Sequence, residues 1–218
     1  MRVPVTTNLI LDSITCPNCQ REQSFDFYSA INNQLTPGAY QGVLDGSTFL
    51  FECLYCNFEE LVHYETSVSN YDIGFFVHLA DVITEAYSTD FIGYIREEYP
   101  MRPDLVFRAV TTLEQLIEKV QIFTDELDDR VIELLKVEIT VILETQDETR
   151  DIIKTKYIGQ NDENQLVFNA YLNEKDFIRY EVSPTQYGFM YHNNRELLLR
   201  EGNRLIEISE KWLKKHHN

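Results

Sequence analysis

The amino-acid sequence predicts an α+β protein: a β-rich N-terminal region, a central helical region, and a C-terminal region of mixed strands with a short terminal helix. Three observations predict it. Before Tyr71, and again after Asp151, short runs alternate apolar with polar residues, the period of half-buried strands. Between them, apolar residues recur every three or four positions, the period of an amphipathic helix. Pro37-Gly38, Asp45-Gly46 and the stretch from Gly159 to Asn164 punctuate the runs as turns. The expected regions are residues 1–72, 73–150 and 151–218, the last two able to pack as one compact unit. With 218 residues, 44% of them hydrophobic, the chain is long enough for a sizeable core in one or two domains.

In the first region Ser24 to Tyr28 alternates as a strand, Asn32 to Gly46 reads as a loop, and Thr48 to Glu52 and Phe58 to Glu65 read as further strands. In the second, Val106, Val110, Leu113, Leu116, Ile117 and Val120 build one apolar face of a helix, with Pro100 and Pro103 marking its upstream limit. After a polar break from Thr124 to Asp128, a second helix carries Val131, Ile132, Leu134, Leu135, Ile139, Ile142 and Leu143 to about Glu144. In the third, Ile152 to Ile158, Gln165 to Tyr171, Phe177 to Val182 and Gly188 to Tyr191 read as strands. The tail divides into a short strand around Ile206 and Ile208 and a short helix from Ser209 that includes Trp212.

Thirty-six acidic residues against nineteen basic ones give a net charge of −17. Residues 1–70 hold only two basic side chains, Arg2 and Arg21, against eight acids. Non-specific affinity for nucleic acid comes mainly from cations set against phosphates, so this balance argues against DNA, RNA and anionic membranes. The one modestly basic stretch is the tail, at Lys211, Lys214 and Lys215. No apolar run has signal-peptide length or approaches the roughly 20 residues of a membrane span. The richest, Ile73 to Ile83, is interrupted by His78 and Asp81. The cytoplasm is the expected compartment, and there paired cysteines point to metal before disulfides.

The cysteines fall into two pairs, Cys16-Pro17-Asn18-Cys19 and Cys53-Leu54-Tyr55-Cys56, separated by thirty-three residues, and there are no others. Two residues between thiolates is the spacing of a zinc knuckle, whose turn aims both sulfurs at one ion. Two knuckles complete a tetrahedral four-sulfur site with bonds of roughly 2.3 Å. Protein ligands at all four corners leave no position for water or substrate, which makes such a site structural rather than catalytic. Each pair precedes a candidate strand, as in a zinc ribbon. The residue after a knuckle needs a left-handed backbone; Asn57 suits it, and Gln20 is less comfortable. Iron in a rubredoxin-like site takes the same ligands. A redox dithiol is the other alternative, although a thioredoxin-like pair begins a helix after a strand, and both pairs here precede strand-like sequence.

The residues around the pairs resemble the CpXC-domain family, named for its Cys-Pro-x-Cys motif. Ile14-Thr15-Cys16-Pro17-Asn18-Cys19 is similar to its first motif and Phe51-Glu52-Cys53-Leu54-Tyr55-Cys56 to its second. Arg108-Ala109-Val110-Thr111, Leu116 to Val120 and the stretch from Leu127 through Asp128-Asp129-Arg130 to Lys136 resemble the segments that follow. The likeness spans about residues 9–145, with an echo around Ile206, Ile208 and Trp212. Leu54 stands where a second proline is missing, which leaves the ligands intact. The resemblance implies a metal-binding protein of bacterial, intracellular type and carries over no catalytic residues.

Other candidates have plainer readings. Asp125, Glu126, Asp128 and Asp129 suit a cation or partner site, but equally the N-terminus of the helix that follows, where carboxylates cap free N–H groups. Arg130 and Glu133 then form a surface pair. His63 has the chemistry of a base or ligand, yet a half-buried surface histidine reads as well. His216 and His217 end the chain. Many of the thirteen Tyr and thirteen Phe fall at strand spacing, as core residues do. There is no Gly-rich phosphate loop, no persuasive Ser-His-Asp order and no zinc-hydrolase helix motif. The reading is a non-enzymatic, zinc-stabilised protein that binds another protein or itself. A thiol redox role and an enzyme with an unrecognised pocket are the alternatives.

Overall fold

The structure, a computed structural model, describes residues 9–84, 90, 93, 105–199, 206–209 and 212–214. Arg2, Pro100, Pro103, Leu205, Lys211, Lys215, His216 and His217 lie outside them. The described residues form a mixed α+β chain in two compact units. One takes the residues up to Val120 together with Ile206; the other takes the rest.

In the first unit, β1 (Leu9–Thr15) and β2 (Glu22–Tyr28) make one antiparallel hairpin. After β3 (Ala30–Asn32), β4 (Leu50–Glu52) and β5 (Glu59–Leu61) make a second. A four-stranded sheet follows in the order β3, β6 (Thr66–Asn70), β7 (Phe75–Leu79), β8 (Val106–Val110). Its two outer pairs are parallel and its central pair is a hairpin. That hairpin turns tightly because the Asn70 side-chain oxygen accepts the N–H groups of Asp72 and Ile73, while Gly74 takes φ +96°. Ile31, Val68 and Val77 lie in register across three strands, and all are fully buried. Ile206 bridges to Arg108, its carbonyl accepting the Ala109 N–H at 3.0 Å.

Helix α1 (Pro37–Asp45) begins on proline and ends at Gly46, whose φ of +82° is left-handed. It buries Tyr40 and Val43, one turn apart, and the Tyr40 hydroxyl accepts a bond from Asn70 Nδ2 at 3.0 Å. A Cβ at Gly42 would strike the side chains of Ser47 and Thr48. Glycine there lets the 3-10 turn Ser47–Phe49 close over the helix.

Helix α2 (Leu113–Thr124) opens with a reciprocal capping pair. The Thr112 hydroxyl accepts the Gln115 N–H at 3.2 Å, and Gln115 Oε1 accepts the Thr112 N–H at 3.2 Å. In the second unit, α3 (Asp129–Gln146) lays Val131, Ile132, Leu135, Ile139 and Leu143 in one core with Tyr157, Leu166, Phe168, Ala170 and Val182. The strand residues come from an antiparallel sheet of β9 (Lys154–Gln160), β10 (Leu166–Tyr171) and β11 (Phe177–Val182), with β10 central. Burying a leucine such as Leu135 stabilises by about 2 kcal/mol. Helix α4 (Pro184–Asn193) is capped by Ser183 and Gln186, and α5 (Arg195–Leu199) follows. Residues 212–214 are helical, with the Leu213 N–H bonded to the Ser209 carbonyl at 3.1 Å.

Four expectations are corrected. The segment 32–46 is not all loop: its proline and glycine are the first residue and the C-terminal stop of α1, positions these residues favour as much as turns. The apolar residues from Val106 to Val120 are not one helix. Val106–Val110 is a buried strand paired with β7, and the helix starts only after the Thr111-Thr112 break. Gly188 to Tyr191 lies inside α4, because Ser183, Pro184 and Gln186 form a helix start that outweighs the aromatic content. Thr48 to Glu52 is a 3-10 turn that becomes a strand only at Leu50, and the strand expected from Phe58 to Glu65 is confined to Glu59–Leu61.

Candidate metal centre

The two cysteine pairs occupy the turns of the two hairpins. The same bonds recur in each. The N–H of Cys16 donates to the Arg21 carbonyl at 2.9 Å, and that of Cys53 to the Phe58 carbonyl at 2.8 Å. The Gln20 N–H returns to the Cys16 carbonyl and the Asn57 N–H to the Cys53 carbonyl, both at 2.9 Å. Both closing residues are left-handed, Gln20 at φ +60° and Asn57 at φ +55°. Gln20 holds this conformation while its side-chain amide donates to the Pro17 carbonyl at 2.8 Å.

These turns bring the sulfurs of Cys16, Cys19, Cys53 and Cys56 within 4.8 Å of one another. The closest cross-hairpin pairs are Cys16–Cys56 at 3.7 Å and Cys19–Cys53 at 3.6 Å. Tetrahedral bonds of roughly 2.3 Å imply sulfur–sulfur edges of about 3.8 Å, so the donor set has the size of a four-thiolate metal site. A disulfide needs about 2.05 Å, and all four cysteines are free.

The electrostatics are uneven. Asn18 Nδ2 donates to Cys56 Sγ at 3.4 Å, and this bond, the Phe58 backbone and the neighbouring sulfurs bring the Cys56 thiol down to about 6. At Cys19 the Arg21 backbone acts in the same direction, but burial and the three other sulfurs outweigh it and push the thiol up to about 12. Four thiols in so small a volume do not all ionise unaided. A cation among them favours the thiolate at every corner.

Around the sulfurs, Cys16, Phe51 and Cys53 form a small core against Ile14, Phe25, Phe58 and Val62. Gln23 clamps the hairpins together, donating from Nε2 to the Glu52 carbonyl and accepting the Leu54 N–H on Oε1, both at 2.9 Å. Arg21 lies 4.7 Å above the Tyr55 ring. Sequence reasoning missed Gln23; its partners are some thirty residues away, and only its position on β2 hinted at a role.

The other sequence candidates go elsewhere. His63 pairs with Asp81 at 3.0 Å on the surface. Asp128 caps α3, its Oδ1 accepting the Arg130 N–H at 3.0 Å. The Arg130 guanidinium grips both Asp128 oxygens, at 2.9 and 2.6 Å, and reaches the Leu198 carbonyl at 2.6 Å. Glu133 pairs with Lys136 at 3.0 Å. Asp125 accepts bonds from the Tyr157 hydroxyl at 2.7 Å and Gln121 Nε2 at 2.9 Å, and the Tyr187 hydroxyl accepts the Asp128 N–H at 2.8 Å. Asp125 and Asp128 are therefore anchors of the second unit. A buried histidine that the sequence did not single out, His78, bonds Ser67 Oγ through Nδ1 at 2.8 Å and Glu65 through Nε2 at 3.3 Å. Burial pushes its pKa down.

The fold and site together define an α+β protein with a four-cysteine cluster between two hairpin turns. The family model described as CpXC protein matches residues 14–136, both cysteine pairs and the Asp128-Asp129-Arg130 stretch included. That is more than half of the chain, and the protein belongs to the CpXC family. No curated protein and no solved structure matches it. Among the described residues, no helix is long and apolar enough to cross a membrane.

Proposed function

We propose that Cys16, Cys19, Cys53 and Cys56 bind one structural zinc ion and that the protein is a non-enzymatic interaction or assembly module of the reducing cytoplasm. The observation that carries this reading is the convergence of four thiols at tetrahedral spacing, with protein at every corner. Zinc suits soft thiolates and imposes no geometry of its own. The hairpins also need a staple. Two-stranded hairpins are marginal in water, and the apolar cluster around the sulfurs is small. Structural zinc contributes on the order of 10 kcal/mol to such folds. Neither pair begins a helix, which favours the structural site over a redox dithiol.

The test is metal analysis of the purified full chain with thermal melting before and after chelation. One zinc per chain and a marked fall in melting temperature on chelation are expected. A metal-free preparation that melts as the loaded protein does would reject the structural site; a visible thiolate-to-iron absorption band would assign iron in place of zinc.

A further inference from the structure

The interaction-module reading leaves the partner unnamed, and the first unit carries a surface that specifies one. An open groove of about 500 Å³ runs between β2 and β4, floored by the start of α1 and the 3-10 turn. Its lining includes Ser24, Asp26, Gly38, Thr48, Leu50 and Glu52. At Gly38 no atom lies within 4 Å of where a Cβ would stand, so the floor is open there.

Both long walls are strand edges. In the first hairpin the bond from Cys16 to Arg21 sets the alternation: odd-numbered residues of β2 bond to β1, and even-numbered ones turn their backbone outward. In the second, the bond from Cys53 to Phe58 turns Leu50 and Glu52 outward on β4. Some outward groups have partners. Tyr28 bonds Tyr64 and Thr66, Gln23 takes the Glu52 carbonyl, and the Leu50 N–H bonds Ser47. Among the described residues, no hydrogen bond uses the outward N–H and C=O of Ser24 and Asp26, the Leu50 carbonyl or the Glu52 N–H. A seven-residue edge without lysine or proline is a template for another strand.

Charge selects the occupant. All eight carboxylates between residues 9 and 65 are exposed, and the one lysine or arginine among those residues, Arg21, is stacked on Tyr55. A second copy is disfavoured, because antiparallel pairing of two β2 edges about Ser24 sets Glu22 opposite Asp26. We propose that the groove takes one extended cationic peptide segment of a partner protein, which adds as a strand to β2 and sets lysine or arginine side chains against Asp26 and Glu52. The inference rests on the interaction-module reading and is independent of which metal the cysteines hold.

The test uses the metal-loaded full chain and a fluorescein-labelled peptide alternating lysine with valine, followed by anisotropy. Saturable binding that weakens with added salt is expected, and none by a glutamate–valine peptide. The double variant Asp26→Lys, Glu52→Lys is expected to lose at least tenfold in affinity while keeping its metal and melting temperature. Methylating alternate backbone nitrogens of the peptide is expected to cost a similar factor and requires no variant. Equal binding by the methylated peptide, undiminished binding by the double variant, or no saturable binding at full metal content overturns the proposal. Metal content and melting report separately on the zinc centre, so its failure is not confused with this one.

Discussion

At the scale of single residues, the cysteine turns make sharp demands. Cys16→Ser and Cys53→Ser each remove one corner of the cluster, and both variants are expected to lose metal and melt at lower temperature. Full zinc content with an unchanged melting curve would mean that the ligand set is wrong. Asn57 sits at φ +55°, a conformation that costs most L-residues about 1–2 kcal/mol. Asn57→Val is expected to lower the urea-unfolding free energy by about that amount, whereas Asn57→Gly is expected to leave it nearly unchanged. The cysteines were legible because their chemistry is rare and their spacing local. Gln23 and His78 were not. Their partners lie 29 and 11 residues away, across pairings that no local pattern encodes.

At the scale of elements, α3 was legible because its apolar period runs through four turns and Asp128 marks its start. Leu135 is 1% exposed, and Leu135→Asp sets a carboxylate in that core. A loss of at least about 4 kcal/mol is expected, enough to unfold a marginal domain. An unchanged melting temperature would show that the apolar face is elsewhere. Asp128→Ala removes both a cap and the grip on Arg130, and about 2 kcal/mol of lost stability is expected in denaturant titrations. The strand β8 was misread because Val106 and Val110 also fit a helical spacing. Its strand state comes from pairing with β7, about thirty residues upstream, and short buried apolar runs do not declare their period alone. Helix α1 was misread for the opposite reason. Its proline and glycine were taken as turn makers when they were its two ends.

At the scale of the molecule, two buried tyrosines tie stability to pH. Burial pushes Tyr64 and Tyr187 up to about 12 from an ordinary value of 10. Their folded-state values exceed the unfolded ones, so their contribution is complete below pH 10 and is lost as pH rises toward 12. Urea midpoints are expected to fall across that window, and Tyr187→Phe is expected to make the fall shallower. An equally steep fall in that variant would assign the effect to other groups. The α+β class was legible from the alternation of periods along the chain. The β3–β6 and β7–β8 pairings were not, because both are parallel and join segments far apart in sequence.

The position of β3 has a kinetic consequence. It lies within the thirty-three residues between Cys19 and Cys53, yet its partner β6 lies beyond Cys56. A metal ion on both pairs is thus a tether around an edge strand of the main sheet. Closing a loop of that length costs about 3 kcal/mol of chain entropy, and the tether meets this cost before β3 begins its search for β6. Zinc present from the first moment of refolding is expected to speed formation of the sheet, and zinc added late is expected to reveal the search as a lag. The centre would then act as a timer, deciding when an edge finds its place.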